Sequence, residues 1–167
     1  MTLRLERRRD PAGVDAILTS LPEWFGDPDA IANYVADAAD PGFDSLLVRE
    51  GDRTVGVALI RRHFSESAEL HLIAVAPHLR RTGAGRALVA EAARNLRADG
   101  CILLSVHTVG PSYENAAYFG TRAFYAAIGF LPLEEHEGLD WAGPTLILVM
   151  PLATPRWPAP DSQPSAR

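Results

Sequence analysis

The stretch from Glu69 to Val89 constrains this chain more than any other. It reads Glu69-Leu-His-Leu-Ile-Ala-Val-Ala-Pro77, then His-Leu-Arg-Arg-Thr-Gly-Ala-Gly85, then Arg86-Ala-Leu-Val89. An apolar strand runs into a glycine turn, and the turn runs straight into a helix. Such a turn aims several backbone N–H groups at one point, where the helix N-terminus adds partial positive charge. The result is a seat for a phosphate or pyrophosphate, and Arg80, Arg81 and Arg86 flank it with charge of the matching sign.

Three pyrophosphate motifs compete for this stretch. A Walker-type loop ends in Gly-Lys-Ser/Thr, whereas this chain has Gly85-Arg86-Ala87. A dinucleotide fingerprint needs a third glycine three residues after the second, where Leu88 stands. What remains is Arg80-x-x-Gly83-x-Gly85 after a strand ending Ala74-Val75-Ala76-Pro77. This resembles the coenzyme-A-binding motif of the GNAT superfamily of acyl-CoA-dependent N-acetyltransferases.

The rest of the chain is ordered as the resemblance implies. Thr2 to Arg8 alternates as a strand, and Asp10-Pro11 opens a helix with Val14, Ile17, Leu18 and Leu21 on its apolar side. Pro22 to Gly26 breaks it, and Asp27 caps a second helix from Pro28 to about Ala38, with Ile31, Tyr34 and Val35 inward. Strands are expected over 44–50, 54–63 and 68–75, the first two joined at Gly51-Asp52. The helix after the glycine turn carries Leu88, Ala92 and Leu96 and stops at Gly100. A strand over 102–107, a polar loop to Asn115, a helix ending near Ile128-Gly129 and an antiparallel pair over 131–136 and 145–152 complete the series. The expected fold is an α/β, GNAT-like, mixed and mostly antiparallel sheet flanked by helices on both faces. The expected organisation is a single acetyltransferase domain over 1–152 and a disordered, proline-rich tail over 153–167.

Composition narrows the partners. With 167 residues, 47% of them hydrophobic, the chain suits one compact core, and no apolar run approaches a membrane span. The formal charge is −5 and every basic residue is arginine. No broad basic patch points to nucleic acid, and the acidic balance is mildly consistent with a cationic substrate. No basic leader with an apolar run opens the sequence, so a cytoplasmic location is the default. Cys101 is the only cysteine and the five histidines are scattered without a His-Glu-x-x-His spacing, so no metal is expected.

Acetyl transfer from a thioester to an amine requires four things: a held CoA, a polarised carbonyl, a deprotonated amine and a protonated leaving thiolate. The resemblance implies that CoA is bound by the backbone of Arg80, Arg81, Thr82, Gly83, Ala84, Gly85 and Arg86. It also implies a carbonyl contact from the main chain around Ile73, Ala74 and Val75, in a strand that carries a bulge and splays from its neighbour. Ala123-Phe-Tyr-Ala-Ala-Ile-Gly-Phe130 is similar to the superfamily's second signature, which makes Tyr125 the general acid. A thiol resembling cysteine has a reference pKa of about 8.5 and tyrosine about 10, so donation assists only when concerted with C–S cleavage. Many members place an asparagine about two turns before this tyrosine, and Tyr118 stands there in this chain.

An alkyl amine resembling lysine has a pKa of about 10.4 and is mostly ammonium at neutral pH. Glu69 occupies the base position of histone-type members, and Glu69 with His71 matches the paired histidines of arylalkylamine-type members. Two residues apart, they share a strand face. The competing readings are an exposed carboxylate and a satisfied histidine. For the acceptor, Trp24 and Phe25 between the first helices, and His107, Tyr113 and Glu114 near the end of the fifth strand, are candidates, with core packing or solvation as the alternatives. The expected partner is a small-molecule amine rather than a protein, acetyl-CoA is the cosubstrate, and a homodimer is compatible with the family. Direct attack in a ternary complex is favoured because no nucleophile for a covalent intermediate stands in the motif region. The alternative is a non-catalytic acyl-CoA-binding regulatory module on the same fold.

Overall fold

A computed structural model describes residues 3–153. Seven strands and four α-helices follow one another as β1 (Leu3–Arg7), α1 (Pro11–Thr19), α2 (Pro28–Ala39), β2 (Phe43–Glu50), β3 (Arg53–Arg62), β4 (Ser67–Val75), α3 (Ala84–Ala98), β5 (Leu103–Val109), α4 (Ala116–Ala127), β6 (Leu131–Glu137) and β7 (Pro144–Pro151). The expected elements are all present, with ends within a residue or two. The expected disordered tail lies, apart from Ala153, outside the described residues.

The strands form one sheet in the order β1-β2-β3-β4-β5-β7-β6. Only the β4–β5 pair is parallel, because α3 must carry the chain back across the sheet between them. The last strand inserts between β5 and β6, so β6 forms the edge.

Two apolar clusters fill the two faces. On one, Leu88, Val89, Ala92 and Leu96 of α3 and Tyr125 of α4 pack on Leu70, Leu104, Val106 and Leu148. On the other, Val14, Ile17 and Leu18 of α1 and Ala38 of α2 pack on Leu47, Val57, Leu59, Leu72 and Ala74. Helix starts are fixed locally. Asp10 accepts the Gly13 N–H, Asp27 that of Asp29, and Asn115 that of Ala117. Asp10 also pairs with the nearly buried Arg49 at 2.9 Å, which ties the start of α1 to the β2–β3 hairpin.

Strand β4 is where this sheet departs from regularity. Leu59 pairs with Leu72 and Ile60 with Leu70, so His71 is an extra residue with no partner on β3. This is a β-bulge, and it reverses the alternation of side chains. Ala68 and Leu70 lie in the α3-side cluster, whereas Leu72 and Ala74 lie in the α1-side cluster. Pairing with β5 stops at the same place: it runs from Ser67↔Leu103 to Leu70↔Val106 and no further. From His71 onward the two strands part.

The packing of α3 on α4 turns on one glycine. A Cβ at Gly85 would lie 3.2 Å from Phe124 Cζ. Gly85→Val is expected to destabilise the fold by about 1–3 kcal/mol through overpacking. Gly85→Ala should cost far less, because helix propensity returns about 1 kcal/mol. Chemical denaturation of both variants measures the difference.

Candidate active site

Two kinds of unsatisfied main chain meet along residues 71–86. The first is the edge of β4 that faces β5. Ile73, Ala74 and Val75 pair with Ala58, Val57 and Gly56 on the β3 side but have no ladder partner on the β5 side. Polar main chain in that position needs another partner. The bulge that the family resemblance implied is therefore present, centred on His71.

The second is the start of α3. A single 3-10 turn, Pro77–Leu79, leads from β4 into the glycine turn. Alone among the four α-helices, α3 has no side chain bonded to its first turn. Its first intrahelical donor is Ala87, which bonds the Gly83 carbonyl at 2.9 Å. The amides of Gly83, Ala84, Gly85 and Arg86 are the orphan donors of the helix start. Arg81 has φ 64° and Gly83 φ 93°. Left-handed residues in such a turn curl successive N–H groups into an anion-binding concavity. For Arg81 that conformation costs about 1–2 kcal/mol, a strain of the kind found at ligand sites. Thr82 steadies the turn by donating from Oγ1 to the Leu79 carbonyl at 2.7 Å.

The three arginines do not act alike. Arg86 reaches the Ala127 carbonyl at the end of α4, 3.5 Å away. Arg80 lies with its guanidinium 4.1 Å from the centre of the Trp24 ring, a cation–π contact. Trp24 in turn donates from Nε1 to Thr121 Oγ1 at 3.1 Å, and its carbonyl accepts from the Tyr118 hydroxyl at 3.1 Å. Tyr118, standing at the expected asparagine position, thus fastens the α1–α2 connection to α4. Phe25 packs edge-on against Tyr34.

Tyr125 is buried, ringed by Phe124 and Phe130 at 5.5 Å each. Burial, and then the neighbouring Tyr34 and Tyr118, push its pKa above the ordinary tyrosine value. It stays protonated through the neutral range, able to donate a hydrogen bond and unable to serve as a base.

Glu69 and His71 do share a face, as their spacing requires, and the structure adds partners that the sequence does not reveal. His71 Nδ1 lies 3.4 Å from Glu69 Oε1, and its Nε2 lies 2.8 Å from Asp37 Oδ2 on α2. Glu69 Oε2 meets His63 Nε2 at 2.7 Å. Tyr34 and Phe43 pack on the His71 ring. Asp37 had a signal available: it stands one helical turn after the inward Tyr34. His63 follows the end of β3, and only the β3–β4 register brings it beside Glu69.

These contacts set the charge states. Hydrogen bonds from His71 and then His63 hold the Glu69 carboxyl down at about 2, against the opposing effect of burial. Burial works to lower the His71 pKa, but the bonds to Glu69 and Asp37 outweigh it and raise it above the ordinary value. At neutral pH Glu69 is a very weak base, and His71 has both nitrogens engaged.

The acceptor candidates separate. His107 Nδ1 lies 2.9 Å from Asp140 Oδ2 in the β6–β7 connection. Tyr113 packs edge-on to Trp141 of that connection at 5.3 Å. Glu114 is exposed in the β5–α4 loop and enters no ion pair with the Glu69 cluster among the described residues. No helix among the described residues is long and apolar enough to cross a membrane.

The chain belongs to the acetyltransferase (GNAT) family, whose model matches residues 14–130. A GNAT-family protein from Desulfovibrio desulfuricans superposes with a TM-score of 0.81 at 25% identity, over 91% of this chain and 100% of the other. An aminoglycoside 6'-N-acetyltransferase complexed with coenzyme A gives 0.70 at 18% identity, over 96% and 100%. The ribosomal-protein-S18-alanine N-acetyltransferase of Escherichia coli gives 0.69 at 18%, over 96% and 98%. The last two likenesses establish the fold. No curated protein matches the chain by sequence.

The Glu69–His71–Asp37 cluster makes opposite contributions to stability as pH changes. The Glu69 carboxyl is held below its ordinary 4.5, so its contribution is complete above that pH and is lost as pH falls towards 2. The His71 contribution is complete below the ordinary 6.5 and is lost as pH rises through the raised folded value. His71→Gln is therefore expected to cost more stability at pH 6 than at pH 9. Denaturant titrations at the two pH values check this, and an equal cost at both would contradict a cationic His71.

Proposed function

We propose that this protein transfers the acetyl group of acetyl-CoA to a small primary amine by direct attack within a ternary complex. One observation carries the reading. The unpaired edge of β4 and the uncapped start of α3 lie on one continuous stretch, residues 71–86. A cosubstrate with an amide-rich arm and a diphosphate suits both halves of it.

In this reading the amides of Arg81 to Arg86 hold the diphosphate, as a helix N-terminus and a curled turn can. The free main chain of Ile73 to Val75 aligns the pantetheine arm, and an N–H there stabilises the developing charge on the thioester oxygen. Arg80 is the arginine with a choice, since its charge is now spent on Trp24. Tyr125 donates a hydrogen bond to the departing sulfur. Its raised pKa makes complete proton transfer to a free thiolate unfavourable, so its help is concerted with C–S cleavage.

The acceptor side favours a cation. Glu69 and Asp37 contact His71, Asp140 contacts His107, and the rings of Tyr34, Tyr113 and Trp141 belong to the same neighbourhood: Tyr34 packs on His71, and Tyr113 packs on Trp141 beside Asp140. An ammonium group on a compact, partly apolar amine suits that mixture. Glu69, ionised and too acidic to take the proton, is placed here as an ammonium-binding group.

Calorimetry with CoA and thiol release from acetyl-CoA with a panel of amines (2-phenethylamine, spermidine, kanamycin and an alanyl peptide) test the proposal. Gly83→Ala is expected to weaken CoA about tenfold, because an alanine at φ 93° is strained by about 1–3 kcal/mol. Tyr125→Phe should lower kcat about ten- to a hundredfold and leave CoA affinity unchanged. CoA binding with no turnover of any amine would instead favour the non-catalytic module. No heat with millimolar CoA would remove the cosubstrate assignment itself.

A further inference from the structure

Deprotonation of the amine is the step that the Glu69–His71 pair leaves without an agent. Glu69 is too acidic, and both nitrogens of His71 are held by carboxylates, Nδ1 at 3.4 Å and Nε2 at 2.8 Å. A base needs an imidazole with one nitrogen fixed and the other free.

Two histidines near this cluster have that arrangement. His63 is held at Nε2 by Glu69, 2.7 Å away. Its backbone, however, bonds to Ser67, at the end of β4 remote from the gap. His107 is held at Nδ1 by Asp140 at 2.9 Å, and its Nε2 makes no hydrogen bond among the described residues. It is the first residue of β5 after the final β4–β5 pair, Leu70↔Val106. Ser105, paired with Glu69, lies two residues before it, so His107 shares the sheet face of Glu69. It stands at the mouth of the gap, with its side chain 29% exposed.

Chemistry fixes the proton. An ionised carboxylate only accepts, so Asp140 places the hydrogen on Nδ1 and leaves the Nε2 lone pair uncovered. The loop that carries Asp140 is itself braced. Trp141 donates from Nε1 to the Pro144 carbonyl at 3.1 Å and packs against Tyr113.

We propose that His107 is the general base of the acetyl transfer and that Asp140 is its positioning residue. Resting on the acetyl-transfer reading above, the step runs as follows. His107 Nε2 takes one proton from the ammonium, breaking an N–H bond. The freed nitrogen pair forms the N–C bond to the thioester carbon. The C–S bond breaks with its electrons on sulfur, and the second proton leaving nitrogen ends on the thiol. The balance is one amide, one thiol and one proton, and that proton passes from His107 to solvent. The groups around His107 are Asp140 from the β6–β7 connection, Glu69 from β4 and, behind His71, Asp37 from α2, while β7 presents Ile147.

The test compares wild type, His107→Gln and Asp140→Asn with whichever of the four panel amines wild type acetylates fastest. His107→Gln is expected to lower kcat/KM about a hundredfold at pH 7. The deficit should shrink as pH rises towards the amine's own pKa, about 10 for a simple alkylamine and about 8 for a peptide α-amine, because amine already deprotonated needs no base. Asp140→Asn should show a smaller loss, about tenfold, with the same trend. Unchanged CoA affinity and melting temperature mark the variants as folded. A deficit that is constant with pH would make His107 merely structural and overturn the proposal, as would wild-type rates for His107→Gln. Wild type inactive on all four amines would overturn the acetyl-transfer reading first and this one with it.

Discussion

The separation of β4 from β5 after Leu70 is the constraint on which the rest of the molecule depends. A parallel pair in the middle of a sheet is normally laddered along its whole length. Here one extra residue, His71, breaks the register with β3 at the point where the ladder to β5 ends. The cost is a set of main-chain groups without sheet partners. The consequence is an edge inside the sheet that a ligand can enter, with apolar cores above and below to keep it rigid.

The same residue sets the chemistry on either side. By reversing the alternation, the bulge sends Leu72 and Ala74 to the α1-side core and leaves Glu69 and His71 together beneath α2. Ile73 and Val75 turn instead towards α3, whose uncapped first turn continues the line of free amides. In the proposed reading, the groups for cosubstrate and for acceptor are thus divided between the two ends of one strand. The α1–α2 connection bridges them: Trp24 touches Arg80 of the glycine turn and is fastened to α4 through Thr121 and Tyr118.

Charge around the acceptor region is arranged in carboxylate–imidazole contacts, and their geometry differs in ways that matter. An imidazole clasped at both nitrogens, like His71, has its cationic form favoured by two carboxylates and no lone pair to spare. An imidazole clasped at one, like His107, keeps a lone pair. Residue type does not distinguish them; the number of carboxylates within reach does.

Much of this architecture is legible in the order of the amino acids. Caps at Asp10 and Asp27, periodicity in α3 and the glycine turn are local signals, and they place the elements and the expected CoA seat. The position of the bulge is not legible from the residues, because both faces of β4 are covered and its alternation reads the same whichever core each side chain joins. His63 and Asp140 escape a reading of the sequence because their partners lie across a strand register and across a hairpin. By itself, then, the sequence determined the strand–turn–helix unit and the order of elements, since hydrogen bonding and periodicity within a few residues suffice for those. Only the tertiary structure decided the contacts of His71 with Asp37 and of His107 with Asp140 and where the sheet opens, since each depends on distances between groups more than thirty residues apart in the chain.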